Sequence, residues 1–205
     1  MKLGIVDYGR GNLRSVQNAV RSLGSEPHLV RTPGEISGLT HLIFPGQGAF
    51  GDCMKSLRDQ DLVHPLQDWI AADKPFFGIC VGFQLLFEGS EEAPETPGLG
   101  IFSGQCQKLT PQPDSTEQKV PHMGWNSLEI RDPSDPAWSG LSEEPFTYFV
   151  HSYCPKEHHG RPVAATCNYG GETFCAAVRQ RNLFATQFHP EKSQHAGLRL
   201  LGNFL

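Results

Sequence analysis

No apolar run in this chain approaches the length of a membrane span, and the stretch at its start, Leu3 to Val6, ends at Asp7, too short for the core of a secretion signal. The expected location is the cytoplasm, with no membrane partner. Neither sign of charge dominates. Lys and Arg number 17 against 22 Asp and Glu, a net charge of −5, and the two signs are interspersed. No broad face therefore attracts a nucleic-acid backbone. The six cysteines contain no C-x-x-C pair, which removes the commonest zinc spacing, and a chain of 205 residues needs no disulfide framework. No metal and no cofactor is expected. Also missing are an internal repeat, a low-complexity tract and a polar linker long enough to separate two cores, so residues 1–205 are expected to form a single domain.

What is present is an ordinary globular composition, 38% hydrophobic and 19% charged, in a chain long enough to bury roughly 70% of its unfolded surface. The first half alternates. "KLGIVDY" reads as a strand. After "GRGN" comes a helix whose apolar residues Leu13, Val16, Val20 and Leu23 lie on one side and which ends at Gly24. "EPHLVRT", "THLIFPG" and "KPFFGIC" read as further strands, with helical material in "LVHPLQDWIAA". That order predicts an α/β fold, a mainly parallel sheet with helices on both faces. The second half offers strand-like runs in "LGIFSGQCQKL", "VPHMGWNSLEI", "FTYFVHSYCP", "PVAATCNY", "TFCAAVRQ" and "NLFATQFHP", then a helical end, "AGLRLLGNFL". These predict antiparallel additions to the sheet, with surface loops at "APETPG", "TPQPDST" and "RDPSDPAWSG".

In "PFFGICVGFQLLFEGSEE", a buried strand is expected to run into a helix over "VGFQLLF", which puts Cys80 at the turn, between Gly78 and Gly82. G-x-C-x-G is the thiol counterpart of the G-x-S-x-G nucleophile elbow. Its glycines leave room where a strained turn crowds adjacent backbone, and a helix beginning after the cysteine favours the thiolate. A buried cysteine flanked by glycines also suits plain packing, so a base has to be found. Of nine histidines, His158 and His159 lie in the polar segment "KEHHGR" and are expected on the surface. His189 differs. "LFATQFHPE" brings it from the end of a strand, Pro190 holds it extended, and in an extended segment Glu191 projects to the same side. Cys80, His189 and Glu191 thus make a candidate nucleophile, general base and orienting carboxylate.

The run G-I-C-x-G-x-Q-L-L-F-E-x-S-E-E with a late H-P-E resembles the triad glutamine amidotransferases, a family with a flavodoxin-like α/β domain that hydrolyses glutamine and passes ammonia to a partner. Within that family, "DYGRGNLRS", "FPGQGAFGDCM", "PHMGWN" and "YFVHSYC" are similar to the branch of glutaminase subunits that serve imidazole glycerol phosphate synthase. The resemblance runs over nearly the whole chain in order. It implies that Cys80 attacks the side-chain amide of glutamine, that His189 moves the proton to the departing ammonia and that Glu191 orients the ring. It implies substrate contacts from Gln84 and Glu92 and from the main chain of Gly48, Ser152 and Tyr153. It also implies an oxyanion hole from the backbone N–H of Val81 and a second donor near Gln47. Gly46 and Gly48 are expected to leave that second peptide free to rotate until a partner signal turns it. The implied partner is a synthase/cyclase subunit with a (βα)₈-barrel fold, in a heterodimer faced by Asn12, Trp125 and Lys192. The chain departs from the family pattern at Val81 and Phe83, where Leu and Met are commoner, and at Gln47, where an apolar residue is commoner. Other readings of the same scaffold are the glutaminase of a different amidotransferase, a cysteine hydrolase of γ-glutamyl bonds, or a binding subunit without activity.

Overall fold

Every residue of the strand ending in Cys80 is buried, and because successive strand residues point to opposite faces, both faces of the sheet there are covered. The computed structural model describes residues 1–112, 119–156 and 162–205. In chain order the first half runs β1 (Leu3–Val6), α1 (Leu13–Ser22), β2 (His28–Val30), β3 (His41–Gly46), α2 (Phe50–Asp59), α3 (Val63–Ala71), β4 (Phe76–Cys80), α4 (Val81–Gln84) and β5 (Phe87–Ser90). The second half runs β6 (Phe102–Lys108), β7 (His122–Ser127), β8 (Glu129–Ile130), β9 (Phe146–His151), β10 (Tyr153–Pro155), β11 (Val163–Tyr169), β12 (Glu172–Gln180), β13 (Leu183–Thr186) and α5 (Gln194–Phe204).

The main sheet has the order β2-β1-β3-β4-β13-β12-β11-β8. Its first five strands are mutually parallel, and β12, β11 and β8 extend it antiparallel. The sequence predicts both parts. The chain leaves β1 for β2 on one side and returns to β3 on the other, which makes the switch point at whose carboxyl ends ligands bind in open α/β sheets. Phe44, Phe76, Phe77 and Phe184 are almost fully buried across the central strands, each burial contributing on the order of 1.5–3 kcal/mol.

The structure differs from expectation in four places. The helix after Cys80 is a single turn, because the carbonyls of Leu85 and Leu86 are taken by Leu99, Ile101 and Phe102, which pull the chain into β5 beside β6. Not all later strands join the main sheet: β10-β6-β5 and β7-β9 form two small sheets of their own. Helix α2 is absent from the reading above, although Phe50, Cys53, Met54 and Leu57 are its buried stripe at i, i+3, i+4 and i+7. The "RDPSDPAWSG" loop tucks Ala137 and Trp138 into the core. Part of "TPQPDST", together with His158 and His159, lies outside the described residues.

Candidate active site

Three neighbouring parallel strands end side by side. β3 pairs with β4 so that Gly46 lies opposite Cys80, and β13 pairs with β4 so that Thr186 lies opposite Ile79. The carboxyl ends of β3, β4 and β13 thereby bring the Gln47 loop, Cys80 and the segment reaching His189 to one place, although Cys80 and His189 are far apart in sequence.

Cys80 has φ 55° and ψ −111°, a conformation that costs an L residue about 1–3 kcal/mol and persists only where the surroundings enforce it. The enforcement is close packing. A side chain on Gly82 would run into the Phe44 carbonyl, and one on Gly78 would press on Ala185. The Cys80 thiol donates to the Val150 carbonyl at 3.9 Å and accepts from Gln187 Nε2 at 3.8 Å. With α4 only one turn long, the expected help from a helix N-terminus shrinks to the few amides of that turn.

His189 is extended, at φ −97° and ψ 98°, ahead of a 3₁₀ turn over Pro190–Lys192. Its Nδ1 lies 2.8 Å from Glu191 Oε1, and both side chains are almost wholly buried, at 6% and 1% exposure. The turn is braced on two sides. Ser193 Oγ donates to the His189 carbonyl at 2.7 Å and accepts from Tyr148 N at 2.9 Å. Gly197 of α5 lets the helix close on the Pro190 carbonyl, where any side chain would collide. With Nδ1 committed, the buried Nε2 has no hydrogen-bond partner among the described residues. Burial opposes charge on this imidazole, but the Cys80 thiolate, with Glu191 behind, outweighs it and raises the His189 pKa to about 10.

A cavity of about 240 Å³ opens on this pair, and its lining includes Gln47, Gly48, Val81, Gln84, Glu92, Ser152 and Tyr153. All the substrate and oxyanion positions inferred from sequence therefore face one space. Glu92 is held there because its Oε2 accepts from Phe50 N at 2.8 Å, capping α2 whose own Ala49 offers no side chain for the purpose. The Ser152 carbonyl is taken by Leu109 N, and the Tyr153 carbonyl by Gln84 Nε2 at 2.8 Å and His151 Nδ1 at 3.0 Å. The Gln84 amide nitrogen also donates to Gln187 Oε1 at 3.0 Å, which leaves its oxygen as the atom able to meet a ligand.

The Gln47 loop is less free than its two glycines imply. Gly46 is pinned against the Val81-Gly82 peptide and the Tyr8 hydroxyl, with no space for a Cβ, whereas a Cβ on Gly48, at φ +102°, would meet nothing within 4 Å among the described residues. The Gln47 carbonyl accepts from the Cys53 thiol at 3.5 Å. Any rotation must therefore hinge at Gly48 and break that contact. Asn12 caps α1, its Oδ1 accepting from Ser15 N at 3.4 Å. Trp125 is 44% exposed and meets Tyr148 in a T-shaped ring contact, so it is not a core residue, and Lys192 Nζ stands 5.7 Å from the Tyr148 ring centre. Sequence reasoning missed Gln187 and the buried pair His122 and His151, 3.2 Å apart. The signal was available for Gln187, two residues before His189 in a strand-like run.

The class-I glutamine amidotransferase family profile matches residues 4–205. The chain is 48% identical over 200 residues to the imidazole glycerol phosphate synthase subunit HisH of Rhodopirellula baltica, across 98% of this chain and 95% of that protein. It is 43% identical over 205 residues to the hisH subunit of Cyanophora paradoxa, across 100% and 94%. The imidazole glycerol phosphate synthase hisHF of Schizosaccharomyces pombe is 46% identical over 209 aligned residues, covering 100% of this chain and 38% of that one. A solved structure described as a glutamine amidotransferase shares the fold, with a TM-score of 0.75 at 24% identity across 100% and 97% of the two chains. With a profile that spans all but its first three residues and relatives this similar along their whole length, the chain belongs to the class-I glutamine amidotransferases.

Proposed function

We propose that this chain is the glutaminase subunit of an imidazole glycerol phosphate synthase, acting in the cytoplasm in histidine biosynthesis. The observation that carries the reading is the buried Cys80, His189 and Glu191 set on a cavity of about 240 Å³, smaller than the roughly 300–1,000 Å³ of drug-sized sites and suited to an amino acid. The Cys80 thiolate attacks the side-chain carbonyl carbon of glutamine. The oxyanion so formed is met by the Val81 N–H and, once the Gln47 loop has turned, by a second backbone donor. His189, already charged beside the thiolate, gives its proton to the departing nitrogen, and ammonia leaves a thioester on Cys80. Neutral His189 then takes a proton from water, which attacks the thioester and releases glutamate and the thiolate.

Glu191 holds the imidazole through Nδ1 in both halves. Glu92 suits the substrate ammonium and the Gln84 oxygen suits a second donor. Since the Ser152 carbonyl is engaged, its N–H is what that residue can offer, alongside main chain at Gly48 and Tyr153. The ammonia goes to a (βα)₈-barrel synthase/cyclase subunit in a heterodimer, which makes imidazole glycerol phosphate and the aminoimidazole carboxamide ribonucleotide. Support for such a partner is the Schizosaccharomyces pombe relative, whose name joins the two functions and of which this chain covers 38%.

The test separates the half-reactions. Cys80→Ala should abolish glutamine hydrolysis, while the complex with the synthase subunit should still form product from concentrated ammonium. Retained glutamine hydrolysis would refute the nucleophile. Loss of the ammonium-dependent reaction as well would assign Cys80 to assembly.

A further inference from the structure

Gln187 is fully buried, a position where an amide without partners is destabilising, and it belongs to none of the roles assigned above. It follows β13 directly, its backbone held by the Ala176 carbonyl. β13 ends at Thr186 and the chain bends at Gln187 and Phe188 before the 3₁₀ turn over Pro190–Lys192, and this bend brings the Gln187 amide to the Cys80 sulfur.

Which end of the Gln187 amide faces the nucleophile is decided by a chain of hydrogen bonds that starts elsewhere. The Tyr153 carbonyl can only accept, so Gln84 must turn its amide nitrogen towards it, at 2.8 Å. The second hydrogen on that nitrogen needs an acceptor, and Gln187 Oε1 supplies it at 3.0 Å. Gln187 Nε2 is then the atom 3.8 Å from Cys80 Sγ. Reversing the Gln187 amide would set donor against donor at Gln84. The same carbonyl receives His151 Nδ1–H at 3.0 Å, which makes His151 Nε2 the acceptor for His122 Nδ1–H at 3.2 Å. The donor aimed at the sulfur is therefore locked from behind by a continuous buried network.

We infer that Gln187 is a positioning residue that holds the Cys80 sulfur and stabilises it as the thiolate by donating an amide hydrogen to it. The contact opposes the one on the other side, since the Val150 carbonyl can accept only from the protonated thiol. Gln187 thus favours the thiolate and Val150 the thiol. The inference rests on Cys80 being the nucleophile. Other titratable groups also act on the sulfur and must be common to the proteins compared: His189 and Glu191 from the turn after β13, Tyr8 after β1, His151 at the end of β9, and Glu92 after β5.

The experiment is iodoacetamide labelling of the full chain across the neutral pH range, with the rate at each cysteine read by peptide mapping. Gln187→Met keeps the length and removes the donor. The midpoint of its Cys80 labelling should rise by about one pH unit, which slows labelling by up to about tenfold at pH values below the parent's midpoint. The variant should stay folded, with a melting temperature lowered because one Gln84 N–H loses its acceptor, and the complex should lose glutamine turnover while keeping ammonium-dependent synthesis. A folded variant with an unchanged Cys80 profile would overturn the proposal. A second measurement needs no Gln187 variant: in ¹⁵N-labelled parent protein the Gln187 side-chain amide protons should shift with the same midpoint as Cys80 labelling, and should not in Cys80→Ala. An amide indifferent to that titration overturns the inference too. Neither readout depends on glutamine turnover, so a Cys80→Ala protein that still hydrolysed glutamine would refute the nucleophile separately.

Discussion

All six cysteines are buried and reduced, but only Cys80 lines the cavity. Burial pushes the Cys53 thiol up to about 11 and those of Cys154 and Cys167 up to about 12, whereas Cys80 opens on the cavity beside the His189 imidazole. Limited alkylation near neutral pH should therefore label Cys80 first. Peptide mapping that found Cys53 labelled faster would contradict that order. The same pair sets the expectation for Glu191. Glu191→Gln keeps a hydrogen-bonding group 2.8 Å from Nδ1 and removes the charge facing the imidazolium. Glutamine turnover should fall by a factor on the order of 10 to 10⁴ with little change in thermal stability. Unchanged steady-state turnover would give His189 a different orienter.

At the scale of elements, the β7–β9 ribbon is clipped to the core by two histidines. His122 of β7 stacks on Tyr169 with ring centres 3.9 Å apart and on Phe149 at 4.7 Å, and it bonds His151 of β9. Burial holds the His122 pKa down at about 4. Burial, with His122 alongside, holds that of His151 at about 3. In the unfolded chain both titrate near 6.5, so between these values the folded protein binds fewer protons than the unfolded one. The stability this supplies is complete above pH about 6.5 and is lost as pH falls towards 4 and below. His122→Phe keeps the stacking and removes one titration. Melting temperatures measured across that range should then depend less steeply on pH than in the parent. Parallel curves would place the acid sensitivity in other groups.

For the whole molecule, the outer face of the same ribbon matters most. Met123, Trp125 and Phe146 are its exposed apolar side chains, at 62%, 44% and 59% exposure. Val150 of β9 reaches from this ribbon into the cavity wall. A synthase subunit seated on Trp125, with Asn12 and Lys192 alongside, would therefore press next to the nucleophile and the Gly48 hinge. With the Gln47 carbonyl tied to Cys53, the free chain should be a poor glutaminase. Turnover should rise roughly 10²- to 10³-fold, the worth of one oxyanion donor, only when the partner and its nucleotide substrate are both present. Trp125→Ala should weaken the complex or this activation and leave basal hydrolysis intact. An isolated chain already hydrolysing glutamine at the full rate of the liganded complex would refute the gating.

The parallel half of the sheet, the strand-to-turn position of Cys80 and the His189–Glu191 contact were legible in the sequence because each depends on residues close in the chain: apolar runs, flanking glycines, and an i, i+2 pair held by Pro190. The length of α4 was not legible. "VGFQLLF" carries a helical pattern, and only the distant Leu99 to Phe102 segment, by claiming the Leu85 and Leu86 carbonyls, ends the helix after one turn. The stiffness of the Gln47 loop was hidden for the same reason, since Gly46 is pinned by backbone from β4's end and by Tyr8 from after β1. The polarity of Gln187 was the least accessible. It is decided by a carbonyl at Tyr153 and an amide at Gln84, which with Gln187 come from three segments of the chain that only the fold makes neighbours. The sequence alone determined which chemical groups the site would have, because local pattern carries residue type and direction. Only the tertiary structure decided how Cys80, Gln84 and Gln187 are held, because their partners come from segments distant in the chain.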